Sequence, residues 1–427
     1  MKRKTILASI GVVLLCLFVS CSKYPVEEKG QQRSGIEVNL KIFCADRRFA
    51  DNLGEIATVY ESENPDIKVT IDGADDGENY IQLLKNEFIS GDAPAIFNVN
   101  GLSQMEEMSG NLLDLTSHPL ATSILHGYEK AVAKNGKLYG LPTSCKVSGF
   151  IYNAEIFSLA GIDTTKIVDF KSFEQTVIAL DEKIKLGELR ENFPELKAVF
   201  DSRDSFEATL NAAISIDFGD VESVHKSKVF PLQAEKALKK IVDLQVKYSV
   251  TGSDSKTSAI EELASERVAI IAESSDVADR LQLLSATVGD KTAIFPIFVN
   301  KHIRESVANG ATNYWGVNKN ADALIRKAAL NFLEWLYQNE TAKKFITDQC
   351  NLIPPYKGFE EIVPATALGR GALKYIEEKK TFEHLLTASP SDWLNIKAPS
   401  VFKQYLTGQD SWKAFTKKIK SNWEQTR

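Results

Sequence analysis

Polar and charged side chains follow each predicted strand of this chain, and together they could bind a polar ligand. The five loops read CADRR, GADDGENY, NVNG, AESSD and NGATNYW. In an open α/β sheet, ligands bind outside the carboxyl ends of the strands, where such loops meet. Because loops are polar in any protein, each one alone could be an ordinary solvated turn. The candidate binding residues are Asp46, Arg47, Asp75, Asp76, Tyr80, Asn98, Asn100, Glu273, Ser274, Asn313, Tyr314 and Trp315.

A further candidate segment is LYGLPTSCKVSGFIYN, residues 138–153. Both of its ends read as buried strand, whereas its middle is polar and contains Pro142, which an ordinary central strand would not contain. The pattern indicates an extended segment whose middle is exposed. Ser144 and Lys146 lie in that middle, so they join the candidates for ligand contact, although Lys146 could equally be a surface charge.

The sequence shows no catalytic or metal-binding motif. The five histidines show no HxH or HExxH pairing, and no GxSxG, Walker loop or GxGxxG lies at a strand-to-helix turn. Asp75 and Asp76 are neighbours in one loop, and such pairs rarely reach the separation that glycoside hydrolysis requires. Cys44, Cys145 and Cys350 lack CxxC spacing, and each is interpreted as a small buried side chain. The chain is therefore predicted to be a binding protein without cofactor or metal.

The elements that position these loops alternate between strand and helix. Strands are predicted at 38–42, 67–71, 95–99, 267–272 and 292–298. Amphipathic helices separate them, which indicates open, mostly parallel sheets covered on both faces. A helix after AESSD is expected to be capped by Ser274 or Ser275, and another is expected from Asn320. The 427 residues suggest two domains, and the net charge of −6 argues against a sequence-independent nucleic-acid binder.

The N-terminus reads MKRKTILASIGVVLLCLFVSC, a basic start followed by an apolar run too short for a comfortable membrane span. This layout is that of a secretory signal, and it resembles a bacterial lipoprotein signal in which the cysteine after a small residue is lipidated. Residues 1–20 are therefore predicted to be a signal peptide, Cys21 the lipidated residue, and 21–35 a flexible tether. A plain signal peptide or an uncleaved anchor is the alternative.

The segment GKLYGLPTSCKVSGFIYNAEIF closely resembles the signature of the extracellular solute-binding proteins of family 1, the lipoprotein receptors of carbohydrate ABC importers. In that family an aromatic-Gly-apolar-Pro run leads into a strand that ends in apolar-apolar-Tyr-Asn. The resemblance extends to ENPDIKV, SGDAPAIF, YWGVNKNADALIRKAALNFLEWL, TAKKFITDQCNLIPPY and LTGQDSWKAFTKKI. Ala95 stands where the family usually has Asp. Glu273-Ser274-Ser275 replaces a frequent Gly-x-Trp, which removes an aromatic that could stack on a sugar.

The resemblance implies a two-lobed α/β fold of the class II periplasmic-binding-protein type, with a ligand cleft between the lobes. Each lobe would be an open, mixed, mostly parallel sheet flanked by helices. Residues 138–153 would be the first of three segments that cross between the lobes, and the others would lie near Ala308–Ala311 and Leu352–Tyr356. The expected ranges are 36–142 with 310–352 for lobe 1, and 143–309 with 353–427 for lobe 2.

The resemblance also implies a receptor that captures a sugar or oligosaccharide by hinge closure and delivers it to an importer permease. Sugars need flat rings beneath them and planar polar groups at their edges, so Trp315 is the leading stacking candidate and Tyr356 a weaker one. The protein would be a monomer held by lipid on the outer face of the cytoplasmic membrane, in a Gram-positive cell or on the periplasmic side of a Gram-negative one. A polyamine receptor is the alternative, on the strength of Asp72, Asp75, Asp76 and Glu78.

Overall fold

The computed structural model describes residues 37–75, 78–203, 205–250, 257–299, 305–311 and 313–427. The predicted signal peptide, the tether and Cys21 lie outside these ranges, as does Asp76. No helix in the described part of the chain is long and apolar enough to cross a membrane.

The strands of the described residues build two larger sheets and one short hairpin. They are β1 (Val38–Cys44), β2 (Ile67–Gly73), β3 (Ile96–Val99), β4 (Ala133–Lys134), β5 (Lys137–Leu138), β6 (Leu141–Pro142), β7 (Cys145–Asn153), β8 (Ala198–Asp201), β9 (Val268–Ser274), β10 (Thr292–Phe295), β11 (Val307–Ala311), β12 (Tyr314–Val317) and β13 (Thr381–Glu383).

Helices connect these strands and cover the sheets. They are α1 (Arg47–Glu63), α2 (Tyr80–Ser90), α3 (Leu102–Glu107), α4 (Ala154–Leu159), α5 (Phe170–Leu186), α6 (Phe206–Phe218), α7 (Val221–Lys226), α8 (Glu235–Lys247), α9 (Ala259–Ala264), α10 (Ala278–Leu284), α11 (Ala286–Gly289), α12 (Ala323–Gln338), α13 (Glu340–Asp348), α14 (Ala367–Glu377), α15 (Ala398–Leu406) and α16 (Trp412–Glu424).

The first sheet has the order β2-β1-β3-β12-β6, and the second has the order β13-β11-β7-β9-β8, with β10 also paired to β7. In the first sheet β1 runs parallel to β2 and β3, whereas β12 is antiparallel to both β3 and β6. In the second sheet β7 is antiparallel to β9, β10 and β11. The predicted α/β class with open, mixed, mostly parallel sheets is therefore confirmed.

The one reversed strand of each sheet arrives directly from the other sheet. β7 continues from β6 of the first sheet through Thr143 and Ser144, and β12 follows β11 of the second sheet. The parallel strands end at the edge that faces the other sheet, so a strand entering at that edge must run against them. This explains why residues 138–153 are apolar at both ends. Tyr139 packs against one hydrophobic core, and Tyr152 belongs to another.

Three hydrophobic cores hold these sheets. The first core surrounds Phe97 of the first sheet and continues without a break into the C-terminal helices, as far as Trp393 and Trp423. The second and third cores cover opposite faces of the second sheet. Along β7, Phe150 belongs to the second core and Ile151 to the third, as the alternation of side chains along a strand requires.

Three sequence predictions about element boundaries differ from the structure. β10 ends at Phe295 instead of continuing to 298, because the following Pro296 has no N–H for the ladder. The helix expected from Asn320 begins at Ala323. After AESSD, a 3₁₀ turn precedes α10 and no serine hydroxyl caps it, because the Ser274 hydroxyl is hydrogen-bonded to Asp276.

Gly149 is the point of closest approach between β7 and β10. A Cβ at this position would lie 2.3 Å from the carbonyl oxygen of Phe295. Gly149→Ala is therefore expected to lower the free energy of unfolding by about 2 kcal/mol, since overpacking costs of this order arise when backbones must separate. Gly54→Ala is the matched control, because Gly54 lies inside α1 with nothing within 4 Å of an added Cβ. The control should gain about 0.5–1 kcal/mol from helix propensity. Equal denaturation midpoints for the two variants would contradict the prediction.

Candidate ligand-binding site

Two adjoining cavities lie between the first and second sheets. The first cavity has a volume of about 160 Å³, and the second has a volume of about 300 Å³. Lys146 and Asn313 line both, so the two cavities form one continuous cleft. An apolar cavity of roughly 150 Å³ accepts a benzene molecule, so the first cavity alone can hold a group of about the size of one six-membered ring.

The ends of β1 and β3 supply the wall of the first cavity on the side of the first sheet. The Asp46 carboxylate caps α1, accepting a hydrogen bond from the backbone N–H of Phe49 at 2.9 Å, and it lies 3.2 Å from the Arg48 guanidinium. The Asn98 Oδ1 atom accepts from the backbone N–H of Ala45 at 2.8 Å, which ties the two strand ends together. This bond fixes the amide, yet its buried Nδ2 donor has no hydrogen-bond partner among the described residues.

The crossing segments form the floor of the cleft and are bonded to one another. The backbone N–H of Thr143 donates to the carbonyl of Asn313 at 2.9 Å, and the Ser144 hydroxyl accepts from the backbone N–H of Ile353 at 2.8 Å. The carbonyl of Thr143 accepts from the hydroxyl of Tyr337 at 2.8 Å. The Thr143 hydroxyl itself is buried, and no group in the described ranges bonds to it. It therefore stands ready for a ligand.

Lys146 lies at the junction of the two cavities, with an ammonium nitrogen 2.9 Å from Asp276 and 3.8 Å from Glu207. Burial works against the charge on Lys146, but these two carboxylates together raise its pKa above the ordinary value. Burial likewise opposes ionisation of Asp276, and the neighbouring Lys146 holds the pKa of that carboxyl below its usual range. The pair is therefore charged at neutral pH and gives the cleft a fixed ionic centre.

Glu273 stands beside this centre without a cation of its own. Burial, followed by the negative charges of Glu207 and Asp276, raises the pKa of Glu273 to about 8. Its carboxyl accepts a hydrogen bond from the backbone N–H of Ser274 at 3.0 Å. Glu273 is therefore mostly protonated at neutral pH, although the hydrogen bond from Ser274 and the charge of Lys146 both favour the charged form.

The raised pKa of Glu273 predicts a loss of stability as the pH rises. The folded protein binds the proton of Glu273 more tightly than the unfolded chain does. The contribution of this proton to the free energy of unfolding is therefore full below about pH 4.5 and declines as the pH approaches about 8. The glutamine of the Glu273→Gln variant cannot titrate. The free energy of unfolding of this variant, relative to that of the natural protein, should therefore increase between pH 5 and pH 8.5. Urea denaturation across this range measures the difference. The exposed Glu191→Gln is the control for the change in formal charge, and an equal pH response in both variants would contradict the assignment.

The aromatic candidates do not line the cleft, which corrects the sequence prediction for them. Trp315 is 0% exposed, and its indole N–H donates to the Tyr337 hydroxyl at 2.9 Å. The Tyr356 hydroxyl donates to the carbonyl of Pro142 at 2.7 Å, and that of Tyr314 to the carbonyl of Ala311 at 3.0 Å. These rings fill the space beneath the crossing segments, and the two tyrosine hydroxyls bond to carbonyls of the last residues of β6 and β11. Trp315 therefore presents no face to a ligand.

Tyr80 is also buried, and its hydroxyl bonds to the backbone of Asn98 instead of facing the cleft. Arg47 and Asp75 form an ion pair with an Nε–Oδ1 distance of 3.1 Å, and Arg47 also bonds Asp72. These charged side chains pair with one another near the end of β2, and none of them lines either cavity. The geometry matches the interpretation of this loop as an ordinary charged turn.

The structure brings together six of the predicted residues. Asp46, Asn98, Ser144, Lys146 and Asn313 line the first cavity, and Asn100 lines the second together with Lys146 and Asn313. Glu273 and Ser274 lie next to the cleft and act on it through Asp276, to which Ser274 is hydrogen-bonded. Whether these side chains contact ligand stays a prediction.

Several lining residues were missed by the sequence analysis. In the first cavity they include Arg48, Phe49, Asn52, Thr143, Asp276, Asp279, Cys350 and Asn351. In the second they include Ser103, Gln104, Phe206, Glu207, Thr387 and Ser389. Asp276 and Asp279 could have been found, because Asp276 ends the loop AESSD and Asp279 lies one turn of helix further on. Glu207 and Thr387 follow β8 and β13, which are short strands that were not predicted from the sequence.

The described residues hold no group of three or more His, Cys, Asp or Glu side chains that could bind a metal ion. Cys44, Cys145 and Cys350 are all buried as free thiols, in agreement with their interpretation as small buried side chains. Burial raises the pKa of Cys145 and of Cys350 to about 12. The two thiols that line the first cavity are therefore protonated and contribute small, weakly polar surface.

Comparison with known sequences gives two matches. The family model for bacterial extracellular solute-binding proteins matches residues 55–368. The multiple sugar-binding protein of Streptococcus mutans is 25% identical over 171 residues, and the match covers 39% of each chain. The chain thus spans 39% of the length of this curated relative, well under two thirds.

Solved structures with the same fold cover nearly the whole chain. The ABC substrate-binding protein Lmo0181 from Listeria monocytogenes, in complex with cycloalternan, has a TM-score of 0.71 and 20% identity, covering 91% of this chain and 99% of that chain. The GacH receptor of Streptomyces glaucescens, solved unliganded and with acarbose, has a TM-score of 0.71 and 13% identity, covering 92% of this chain and 98% of that chain. These likenesses confirm the predicted fold class.

Proposed function

This chain belongs to the bacterial extracellular solute-binding proteins, and we propose that it captures a sugar or oligosaccharide in the cleft between its two sheets and delivers it to an ABC importer. Proteins of this family are receptors and not enzymes. Its relatives include proteins named as sugar binders or solved with a sugar, among them the Streptococcus mutans protein and the cycloalternan complex. Both the family and these relatives support a sugar as the ligand.

The observation that carries the proposal is a set of buried polar atoms without partners in the described structure, all of them on residues that line the cleft. In the first cavity they are the Asn98 Nδ2 donor and the Thr143 hydroxyl. In the second they are Asn100 Oδ1 and the hydroxyls of Thr387 and Ser389. A buried polar atom without a partner costs about 1–3 kcal/mol, and the hydroxyls of a sugar can satisfy donors and acceptors alike. A polyhydroxylated ligand therefore matches this lining better than an apolar one.

Titration calorimetry with a panel of mono- and oligosaccharides tests the proposal, with spermidine as the alternative ligand. We expect saturable binding of at least one sugar at one site per chain. Saturable binding of spermidine with no response to any sugar would favour the polyamine receptor. The polyamine alternative depends on acidic residues near the end of β2. Two of them, Asp72 and Asp75, are already paired with Arg47, and this weakens the alternative.

Thr143→Val is expected to weaken sugar binding about 3–10-fold while leaving the folded protein at least as stable. The substitution removes a hydroxyl that has no partner in the described structure, so stability loses no bond, whereas one hydrogen bond to the ligand is worth about 0.5–1.5 kcal/mol. Thr292→Val is the matched control, because the buried Thr292 hydroxyl donates to the carbonyl of Gly289 at 2.8 Å, far from the cleft lining. The control should lose stability and keep its affinity. A Thr143→Val variant with reduced stability and unchanged affinity would contradict this assignment.

The proposal includes closure of two lobes about the three crossing segments. Lobe 1 would comprise 36–142 and 310–352, and lobe 2 would comprise 143–309 and 353–427. The crossings at Thr143–Ser144, between β11 and β12, and at Leu352–Tyr356 support this division, since each links the two sheets through only a few residues. Closure needs contacts that the ligand makes better in the closed state. Small-angle scattering should show a smaller radius of gyration with a sugar that binds, and an unchanged radius would contradict the hinge.

Attachment to a membrane through lipid on Cys21 completes the proposal, with a monomeric receptor that docks on the permease subunits of the importer. The sequence around Cys21 supports this part, and it lies outside the described residues. Cys21→Ser should release the protein from the membrane fraction into the soluble fraction. Retention of the variant in the membrane would contradict lipid attachment at this residue.

A further inference from the structure

The cleft carries more negative than positive charge. Among the described lining residues, four carboxylates face the two cavities, whereas the cations are Arg48 and Lys146. The four, which we call the cleft acids, are Asp46, Glu207, Asp276 and Asp279. An excess of two carboxylates around a ligand site favours a ligand that carries positive charge, because opposite charges attract across a partly enclosed cleft.

Three of the four cleft acids have a cation within 4 Å, and two of those three share Lys146. Asp46 lies 3.2 Å from Arg48, and Asp276 lies 2.9 Å from Lys146. Glu207 is 3.8 Å from the same lysine. For Asp279, the hydrogen bond that the described structure shows is from the backbone N–H of Arg280 at 2.7 Å. Burial first, and then the charges of Asp276 and Asp46, raise the pKa of Asp279, although Arg48 acts in the opposite direction.

Asp46 and Asp279 approach the first cavity from opposite sides. Asp46 follows β1 of the first sheet, and Asp279 lies in the first turn of α10, which follows β9 of the second sheet. Two like charges facing each other across a gap oppose its closure while the gap is empty. A cation placed between them turns this repulsion into attraction on both sides.

The same cavity contains evidence for hydroxyl recognition. Asn98 and Thr143 line the first cavity and are only 2% and 5% exposed, and each has a buried polar atom without a partner in the described structure. A simple polyamine would leave these two groups unsatisfied, and a neutral sugar would leave the excess carboxylates unsatisfied. A ligand that bears both hydroxyls and an ammonium group satisfies both.

Building on the proposed function, we propose that the ligand is an amino sugar, a sugar with at least one free amino group. Its ammonium group lies between Asp46 and Asp279, and its hydroxyls bond to Asn98 and Thr143. The charge of the ligand thereby favours closure of the cleft, in addition to fixing which sugars bind.

Titration calorimetry with matched sugars tests this inference on the mature chain. One series is cellobiose, N,N′-diacetylchitobiose and fully deacetylated chitobiose, and the second is glucose, N-acetylglucosamine and glucosamine. Within each series the ring skeleton stays the same, and the substituent changes from a hydroxyl to a neutral amide to an ammonium group. We expect the amine to bind at least 10-fold more tightly than its two neutral counterparts in one or both series.

Asp279→Asn then separates charge from shape. The variant keeps the size of the side chain and is expected to lose most of the preference for the amine while its affinity for the neutral sugars changes less than 2-fold. Asp322→Asn is the control, because Asp322 is exposed at the start of α12, outside the cleft lining. This control should keep the full preference for the amine.

The outcomes distinguish the inference from the function on which it rests. Neutral sugars that bind as tightly as the amines, or an amine preference that survives Asp279→Asn, would overturn the inference and leave the sugar receptor in place. Binding of spermidine with no response to any sugar would overturn both. A panel in which no sugar binds would likewise overturn the inference.

Discussion

Trp315→Ala is expected to lower the free energy of unfolding by about 3–5 kcal/mol, the range for removal of a fully buried large aromatic side chain. Trp315 is 0% exposed, and its ring lies 5.7 Å from that of Phe49, centroid to centroid. The substitution leaves a large void in the first core and removes the hydrogen bond to Tyr337. Chemical denaturation of the purified variant, followed by tryptophan fluorescence and circular dichroism, measures the loss.

Trp315→Phe separates the hydrogen bond from the packing. Phenylalanine fills most of the space and cannot donate, so this variant should lose about 1–3 kcal/mol, less than the alanine variant. Ligand affinity of the folded Trp315→Phe protein should stay within about 2-fold, because the ring does not line either cavity. A variant of normal stability that binds sugar much more weakly would show instead that the indole stacks on the ligand.

Tyr337→Phe is expected to lower the free energy of unfolding by about 2–4 kcal/mol, an unusually large effect for the loss of one oxygen atom. The Tyr337 hydroxyl accepts from the indole of Trp315 and donates to the carbonyl of Thr143. Its removal leaves a buried donor and a buried acceptor without partners, and each carries its own desolvation cost. Tyr375→Phe is the matched control, because its hydroxyl makes one longer bond of 3.3 Å to the carbonyl of Ile294. The control should lose less than about 1 kcal/mol.

A double-mutant cycle checks the shared bond. Once Trp315→Phe has removed the donor, Tyr337→Phe should cost about 1–2 kcal/mol less than it does in the natural protein. Strict additivity of the two substitutions would show that the indole and the hydroxyl do not depend on each other. Because the Thr143 hydroxyl lines the first cavity, the cycle also probes how the core holds the floor of the cleft.

The fold could be read from the sequence because its signals are local. Alternating apolar residues mark the strands, and apolar residues at intervals of three and four mark helices such as α1, whose buried residues include Leu53, Ile56 and Tyr60. The pattern of residues 138–153 indicated an extended segment with an exposed middle, and the family resemblance then implied that this segment crosses between two sheets. The reversed direction of β7 and β12 follows from the same geometry.

The site was predicted less completely, because side-chain identity does not reveal direction. Trp315 stands where a sugar-stacking ring was expected, but its strand turns it into the core, where Tyr337 accepts its N–H. Asp46 and Asn98 were found because Asp46 follows β1 and Asn98 lies near the end of β3. Glu207 and Thr387 were missed because the short strands that precede them, β8 and β13, were not predicted from the sequence.

The reversed strand of the first sheet also sets the order of events during synthesis. β12 lies between β3 and β6, so the sheet has a gap at its centre until Val317 has left the ribosome. Contacts that join such distant parts of a chain form slowly, because a long loop must close before they stabilise anything. The first sheet of the nascent protein therefore stays incomplete until late in translation.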